Sequence, residues 1–205
     1  MKNYLLIVLM LLSIGIKAQN DSKIIFQKNK YDLAVSYLKK SDFVNALDQF
    51  SIASRIKPEN EIGQESLKKV DTLKEILRKD ILEKVNGTWL FTGDKPIWAV
   101  NVEHEFKEKK IDKLVEVSGN QISFYEQNRK TKEKKLIKTE DIVYYNSDPS
   151  DALYSAIILS NGTIWNCTLD ETKSMLRAIN IAKKSEKGVK KIYENNNEAF
   201  YKKAL

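Results

Sequence analysis

The chain holds one histidine and one cysteine in 205 residues. A metal site of ordinary type needs several His or Cys ligands, so no multi-cysteine zinc site, paired-histidine site or intrachain disulfide can be assembled from them, and no cofactor is expected. His104 alternates with Val100, Val102 and Phe106 while Glu103 and Glu105 fall on the other face, which reads as a structural imidazole. Cys167, in Trp165-Asn166-Cys167-Thr168, alternates with Trp165 and reads as a small buried apolar residue rather than a nucleophile. The carboxylates Glu103, Glu105, Glu126, Glu140 and Asp141 are what remains for an acid and base pair. Their pairing across strands is not written in chain order, and a solvated sheet face is the expectation. The inventory points away from an enzyme.

Two further groups are suited to binding. Arg129, Lys130, Lys132, Lys134 and Lys135 surround a single acid, Glu133. This reads as a soluble hairpin tip, or as a contact for an anionic surface such as lipid headgroups. Trp89, Trp98, Trp165, Phe124 and Tyr125 would pack a core, or line a pocket for an apolar or amphipathic small molecule if the fold has a lumen. Asn86, Asn161 and Asn166 each open an Asn-x-Thr triplet, which matters only in a host that glycosylates them.

The elements that position these residues follow from pattern. Met1 to Ala18 has a basic start, an apolar run from Tyr4 to Ile16, and then Lys17-Ala18-Gln19. The run is too short for a bilayer core, which needs about 20 apolar residues, so 1–18 reads as a signal peptide cleaved before Gln19. An exported chain, periplasmic or secreted, is therefore expected, with no transmembrane segment. Residues 19–85 carry 13 basic and 11 acidic residues, and 86–205 carry 20 and 17. With only four Arg and no basic half, nucleic acid is not the expected partner.

Between Ser22 and Val85 apolar residues recur at helical spacing and three helices are predicted: about 22–39, 43–56 and 60–85. Ser41-Asp42 breaks the first and caps the second, Lys57-Pro58-Glu59-Asn60 stops the second, and Asn60 caps the third. Leu33, Ala34, Tyr37, Ala46, Phe50, Ala53 and Pro58 together resemble one tetratricopeptide (TPR) repeat, with small residues at the helix crossing and large ones beside it. Lys30 departs from the pattern, standing where a large apolar residue is usual. The resemblance implies protein contact or self-association through this module, because a single unit is short of the roughly three repeats needed to stand alone.

From Asn86 the pattern changes to short β-branched and aromatic runs. Predicted strands begin at Trp89, at Val100–Phe106, at Leu114–Ser118 and Gln121–Glu126 around Gly119-Asn120, and at Lys135–Tyr145. Others are Leu153–Ser160 and Thr163–Leu169 around Asn161-Gly162, then Met175–Ala182 and Ala199–Lys203; a capped helix over Met175–Ala182 is the alternative. Gly87-Thr88-Trp89 resembles the Gly-x-Trp opening of lipocalin-like barrels, and Phe200-Tyr201-Lys202-Lys203 is similar to the last strand of small bacterial members. The resemblance implies that Trp89 closes one barrel end with Lys202 or Lys203, or else Arg177, lying across it.

The expected fold is α+β: a signal peptide over 1–18, a TPR-like helical module over 19–85, and an antiparallel β domain over 86–205, lipocalin-like or another small β fold. The expected function is non-enzymatic binding of a protein partner by the helices and of a small apolar ligand by a barrel. Its candidate residues are Trp89, Trp98, Phe124, Trp165 and Lys202. An adaptor with a filled barrel is the alternative, and a carboxylate-based hydrolase comes behind it. Mass spectrometry of the mature protein should find an N-terminus at Gln19; recovery of the intact chain from cytoplasm contradicts export.

Overall fold

The computed structural model describes residues 22–95, 110–146, 153–194 and 196–204. The predicted signal peptide and the predicted strand Val100–Phe106, and with them Trp98 and His104, lie outside the described residues. Three helices precede a ten-stranded antiparallel sheet. The chain divides into two compact units, and the division falls inside the third helix, between Leu77 and Arg78. No helix among the described residues is long and apolar enough to cross a membrane.

In the first unit, α1 covers residues 22–39, α2 Phe43–Ile56, and α3 begins at Glu61 and ends at Val85. Asp42 caps α2 by accepting from the Asn45 N–H at 3.3 Å, and Asn60 caps α3 by accepting from the Gly63 N–H at 2.8 Å. The helices approach closely because Ala34, Ala46 and Ala53 are fully buried, with Phe50 filling the space beside them and meeting Tyr31 edge-on at 5.5 Å. Tyr37 is half-buried and Leu33 is 41% exposed, so α1 contributes less to this core than its apolar pattern promised. Gln27, which no apolar periodicity marks, is fully buried. Its Nε2 donates to the carbonyls of Ala53 (2.9 Å) and Lys57 (3.1 Å), and its Oε1 accepts from Asn60 Nδ2 at 2.6 Å. One amide thus serves carbonyls that the end of α2 leaves without helical partners and braces the cap of α3. Gly63 is required here, since a Cβ would stand 2.2 Å from the Lys57 carbonyl oxygen.

In the second unit the strands are β1 Gly87–Gly93, β2 Ile111–Ser118, β3 Gln121–Asn128, β4 Lys134–Asp141, β5 Val143–Tyr144, β6 Ala156–Ile158, β7 Thr163–Leu169, β8 Met175–Ser185, β9 Gly188–Lys191 and β10 Glu198–Lys203. Their order is β4-β3-β2-β1-β10-β8-β7-β6-β5, with β9 attached to β8. Met175–Ala182 is therefore strand, as favoured over the helix. Leu153–Ser160 shrinks to three residues of strand, and the tight Asn161-Gly162 turn is replaced by a longer loop. The turn is closed by Gly162 N–H donating to Leu159 O at 2.8 Å and Leu159 N–H to Thr163 O at 2.9 Å; Gly162 takes a φ of 81° there, and its carbonyl accepts from Lys184 N–H at 2.7 Å, where a Cβ would meet the Lys184 oxygen at 2.3 Å.

The first and last strands of this order are consecutive in the chain, separated by Ile142 alone. Eight antiparallel steps lie between β4 and β5, so both run in the same direction and form one segment that changes partners. Ile142 N–H still donates to Asn120 O at 2.8 Å on the β3 side, and Tyr145 N–H already donates to Ala156 O at 2.7 Å on the β6 side. A flat sheet would put these edges about 38 Å apart, whereas two residue steps span about 7 Å. The sheet must roll. Phe124 on β3 and Trp165 on β7 accordingly meet with ring centroids 6.1 Å apart.

No backbone ladder joins β4 to β5 or β6. Glu140 fastens this seam instead. Its Oε2 accepts from Ser160 N–H at 2.7 Å, its Oε1 from Ser160 Oγ at 2.8 Å, and the Lys138 ammonium bonds the same carboxylate. The opposite end of the roll is occupied by the last turns of α3. Val85 belongs to the core with Trp89, Val115, Val117, Ile122 and Tyr201, and Ile81 and Leu82 pack against it. Trp89 Nε1 donates to Val85 O at 2.7 Å, satisfying one of the last carbonyls of the helix. Arg78 ties the same helix to the sheet by donating to Tyr154 O (3.0 Å) and Asn146 Oδ1 (2.6 Å).

Burial of Glu140, 7% exposed in its side chain, raises its pKa, but the Lys138 bond and the Ser160 N–H and hydroxyl outweigh this and the net shift is downward. A carboxyl whose folded pKa lies below its free value of 4.5 adds stability that is complete above that value and is lost as pH falls through the folded pKa. Glu140→Gln should lower the unfolding free energy by about 1 to 3 kcal/mol at neutral pH, the usual range for charge-assisted bonds, and the difference from wild type should shrink in acid. Urea denaturation of both proteins at neutral and acid pH measures this; equal neutral stabilities contradict the seam role.

Candidate functional site: the aromatic mouth of the rolled sheet

Alternation decides which side chains enter the roll. Trp89 and Phe91 on β1, Val115 and Val117 on β2, Ile122 and Phe124 on β3, Trp165 and Cys167 on β7, and Tyr201 on β10 share the inner face. Beside the α3 residues Ile81, Leu82 and Val85 the interior is nearly full, leaving an apolar hollow of about 50 Å³. At the other end the roll opens into a concavity of about 370 Å³ whose walls include Phe91, Phe124, Trp165 and Tyr201, with Lys113, Glu126 and Lys138 among them. Val115, Trp165 and Tyr201 line both spaces and so form the floor of the mouth.

The aromatic walls are braced in pairs. Phe124 meets Trp165 edge-on, and Phe91 meets Tyr201 at 5.5 Å with a tilt of 59°. Lys138 Nζ stands 4.5 Å from the centre of the Phe124 ring while bonded to Glu140, so the seam and the mouth share this lysine. Asn180, opposite Trp165 on β8, leaves its Oδ1 buried with no hydrogen-bond partner among the described residues.

Of the residues singled out from sequence, Phe124 and Trp165 come together at the mouth. Trp89 is at the far end, fully buried, with the Lys203 ammonium 5.5 Å from its ring centre. The basic side chain across Trp89 is thus that of Lys203. Lys202 is paired with Leu90, one position out of phase with Trp89, and is exposed. Arg177 is engaged with Glu198 through bonds of 2.9 and 2.6 Å. The sequence reading missed Phe91, Tyr201 and Lys138. Phe91 could have been found two positions beyond Trp89, on the same strand face, but Lys138 could not, because a bulge between Phe124 and Tyr125 sets its pairing.

Among the described residues the lone thiol is suppressed and the seam carboxylate is occupied. Burial pushes the Cys167 thiol up to about 12, so it stays protonated at neutral pH, and burial likewise raises Tyr201. Ser160 Oγ lies beside Glu140, an arrangement that on paper resembles an activated hydroxyl. Both carboxylate oxygens, however, already accept bonds that hold the seam. Among the described residues no group of three or more His, Cys, Asp or Glu is placed to hold a metal ion. In the basic tip, Arg129 bonds Asp112 at 2.6 Å and Lys134 bonds Glu116 at 2.7 Å. Asn128 Oδ1 caps the turn through the N–H groups of Lys130 and Thr131. Comparison of the chain with protein-family models, with curated proteins and with solved structures gave no match.

Proposed function

We propose that the chain is an exported, non-enzymatic binding protein whose rolled sheet takes a small amphipathic or apolar ligand at its aromatic mouth. The carrying observation is the concavity of about 370 Å³ walled by Phe91, Phe124, Trp165 and Tyr201, within the size range of small-molecule sites and predominantly apolar as those sites are. A lipocalin-like reading of the sheet is supported by Trp89 near the start of the first strand and by Lys203 of the last strand over its ring. A ligand would rest on the Trp165 and Tyr201 floor rather than enter the sheet's centre, where only about 50 Å³ is free. The TPR-like reading of the helices assigns them to protein contact or self-association, which Ile25, Phe26 and Leu33, exposed on α1, would serve. The nearly filled interior favours a second reading, in which the sheet is an adaptor and its mouth holds part of a protein partner.

A dansyl-labelled fatty acid titrated into the purified protein tests the first reading. Saturable binding is expected, with Trp165→Ala and Phe124→Ala each weakening it about tenfold, the loss typical of an aromatic anchor, while the thermal melt stays cooperative. Absence of binding, or affinity indifferent to both substitutions, excludes a ligand at the mouth.

A further inference from the structure

Charges that are evenly spread along the chain are not evenly spread over the sheet. Register shows which turns share an end. Gly87, Val117 and Lys203 mark the end beside α3. Gly93 pairs with Phe200 and Ile111 with Asn128, so the β3–β4 turn and the part of β8 beyond Ile179 lie at the end where the mouth opens. At this end residues 183–191 carry five lysines against one glutamate, and every one of these nine residues is exposed. The β3–β4 turn adds Lys130 and Lys132, and the start of β4 adds Lys135.

The β8–β9 hairpin is arranged against its own stability. Lys183 stands directly opposite Lys190, and Lys184 and Lys191 follow on the other face. Like charges in cross-strand register are destabilising, and the ion pairs formed among the described residues engage none of these lysines. Folding alone gives no reason for the arrangement; a negatively charged surface does. Val189, 41% exposed within the hairpin, and Tyr193, 84% exposed just after it, add an apolar side chain and an aromatic ring of the kind that settles at a bilayer interface. Two of the arginine forks that would read bases and phosphates are engaged within the sheet, Arg129 by Asp112 and Arg177 by Glu198.

We infer that the mouth end of the rolled sheet, with Lys183, Lys184, Lys187, Lys190 and Lys191 at its centre, docks on the anionic headgroups of a lipid bilayer. The attraction is electrostatic, with shallow insertion of Val189 and Tyr193, and it holds whether or not the mouth binds a ligand. Each lysine brought to an anionic surface is worth a factor of about five in partitioning.

Co-sedimentation of the purified chain with vesicles of equimolar phosphatidylglycerol and phosphatidylcholine tests the assignment. Binding is expected at low ionic strength, release at high salt, and none to pure phosphatidylcholine. The combined variant Lys183→Gln, Lys187→Gln and Lys190→Gln should bind about a hundredfold more weakly, with a melting temperature equal to or slightly above that of wild type. Lys173→Gln with Lys202→Gln, which removes two charges at the α3 end, should bind as wild type does. The proposal is overturned if wild type ignores anionic vesicles at low salt, if the triple variant keeps its affinity, or if single-stranded DNA binds more tightly than the vesicles.

Discussion

One strand that changes partners governs the second unit. Because β4 passes into β5 through Ile142 alone, the two edges of the sheet are tied together covalently and every other strand has to curve to accommodate them. The curvature defines an inside, and the inside sorts the side chains. Rolling alone would leave a slit along β4, since no ladder forms across it, and the Glu140 carboxylate supplies the missing bonds through Ser160. Only a few strong, charge-assisted bonds replace a row of backbone pairs.

The same roll explains why one end is filled and the other hollow. The last turns of α3 enter beside Trp89, whose indole N–H takes the Val85 carbonyl, and their apolar side chains leave little free volume. No comparable element among the described residues occupies the other end, so Phe91, Phe124, Trp165 and Tyr201 meet solvent over a concave surface while bracing one another. Lys138 connects the two features, because the ammonium that supports the Glu140 clip also lies over Phe124. Loosening the seam therefore disturbs the wall of the mouth.

Much of this was legible in the sequence where the physics is local. Helical spacing, the Asp42 and Asn60 caps and the Ala34, Ala46 and Ala53 crossing emerged as read. So did the Gly119-Asn120 hairpin and the strand character of Met175–Ala182. What escaped depends on long-range pairing. The run Lys135–Tyr145 looks like a single strand, and nothing in its pattern says that Asp141 and Val143 have different neighbours. Gln27 was passed over because a buried amide on a helix carries no periodic signal until the ends of two other helices are placed around it. The lysine-rich end was hidden for a related reason: 129–135 and 183–191 are far apart in the chain and come to one end only through the register of the sheet.

The contact most specific to the rolled sheet is that between Phe124 and Trp165. Five strand steps separate them, about 24 Å in a flat sheet, yet their rings stand 6.1 Å apart. Nuclear Overhauser spectroscopy of the purified chain measures this contact directly. Strong cross-peaks between the two rings are predicted, alongside the ladder contacts of β2 with β3 and of β7 with β8. Intact ladders with no cross-peaks between Phe124 and Trp165 would contradict the account.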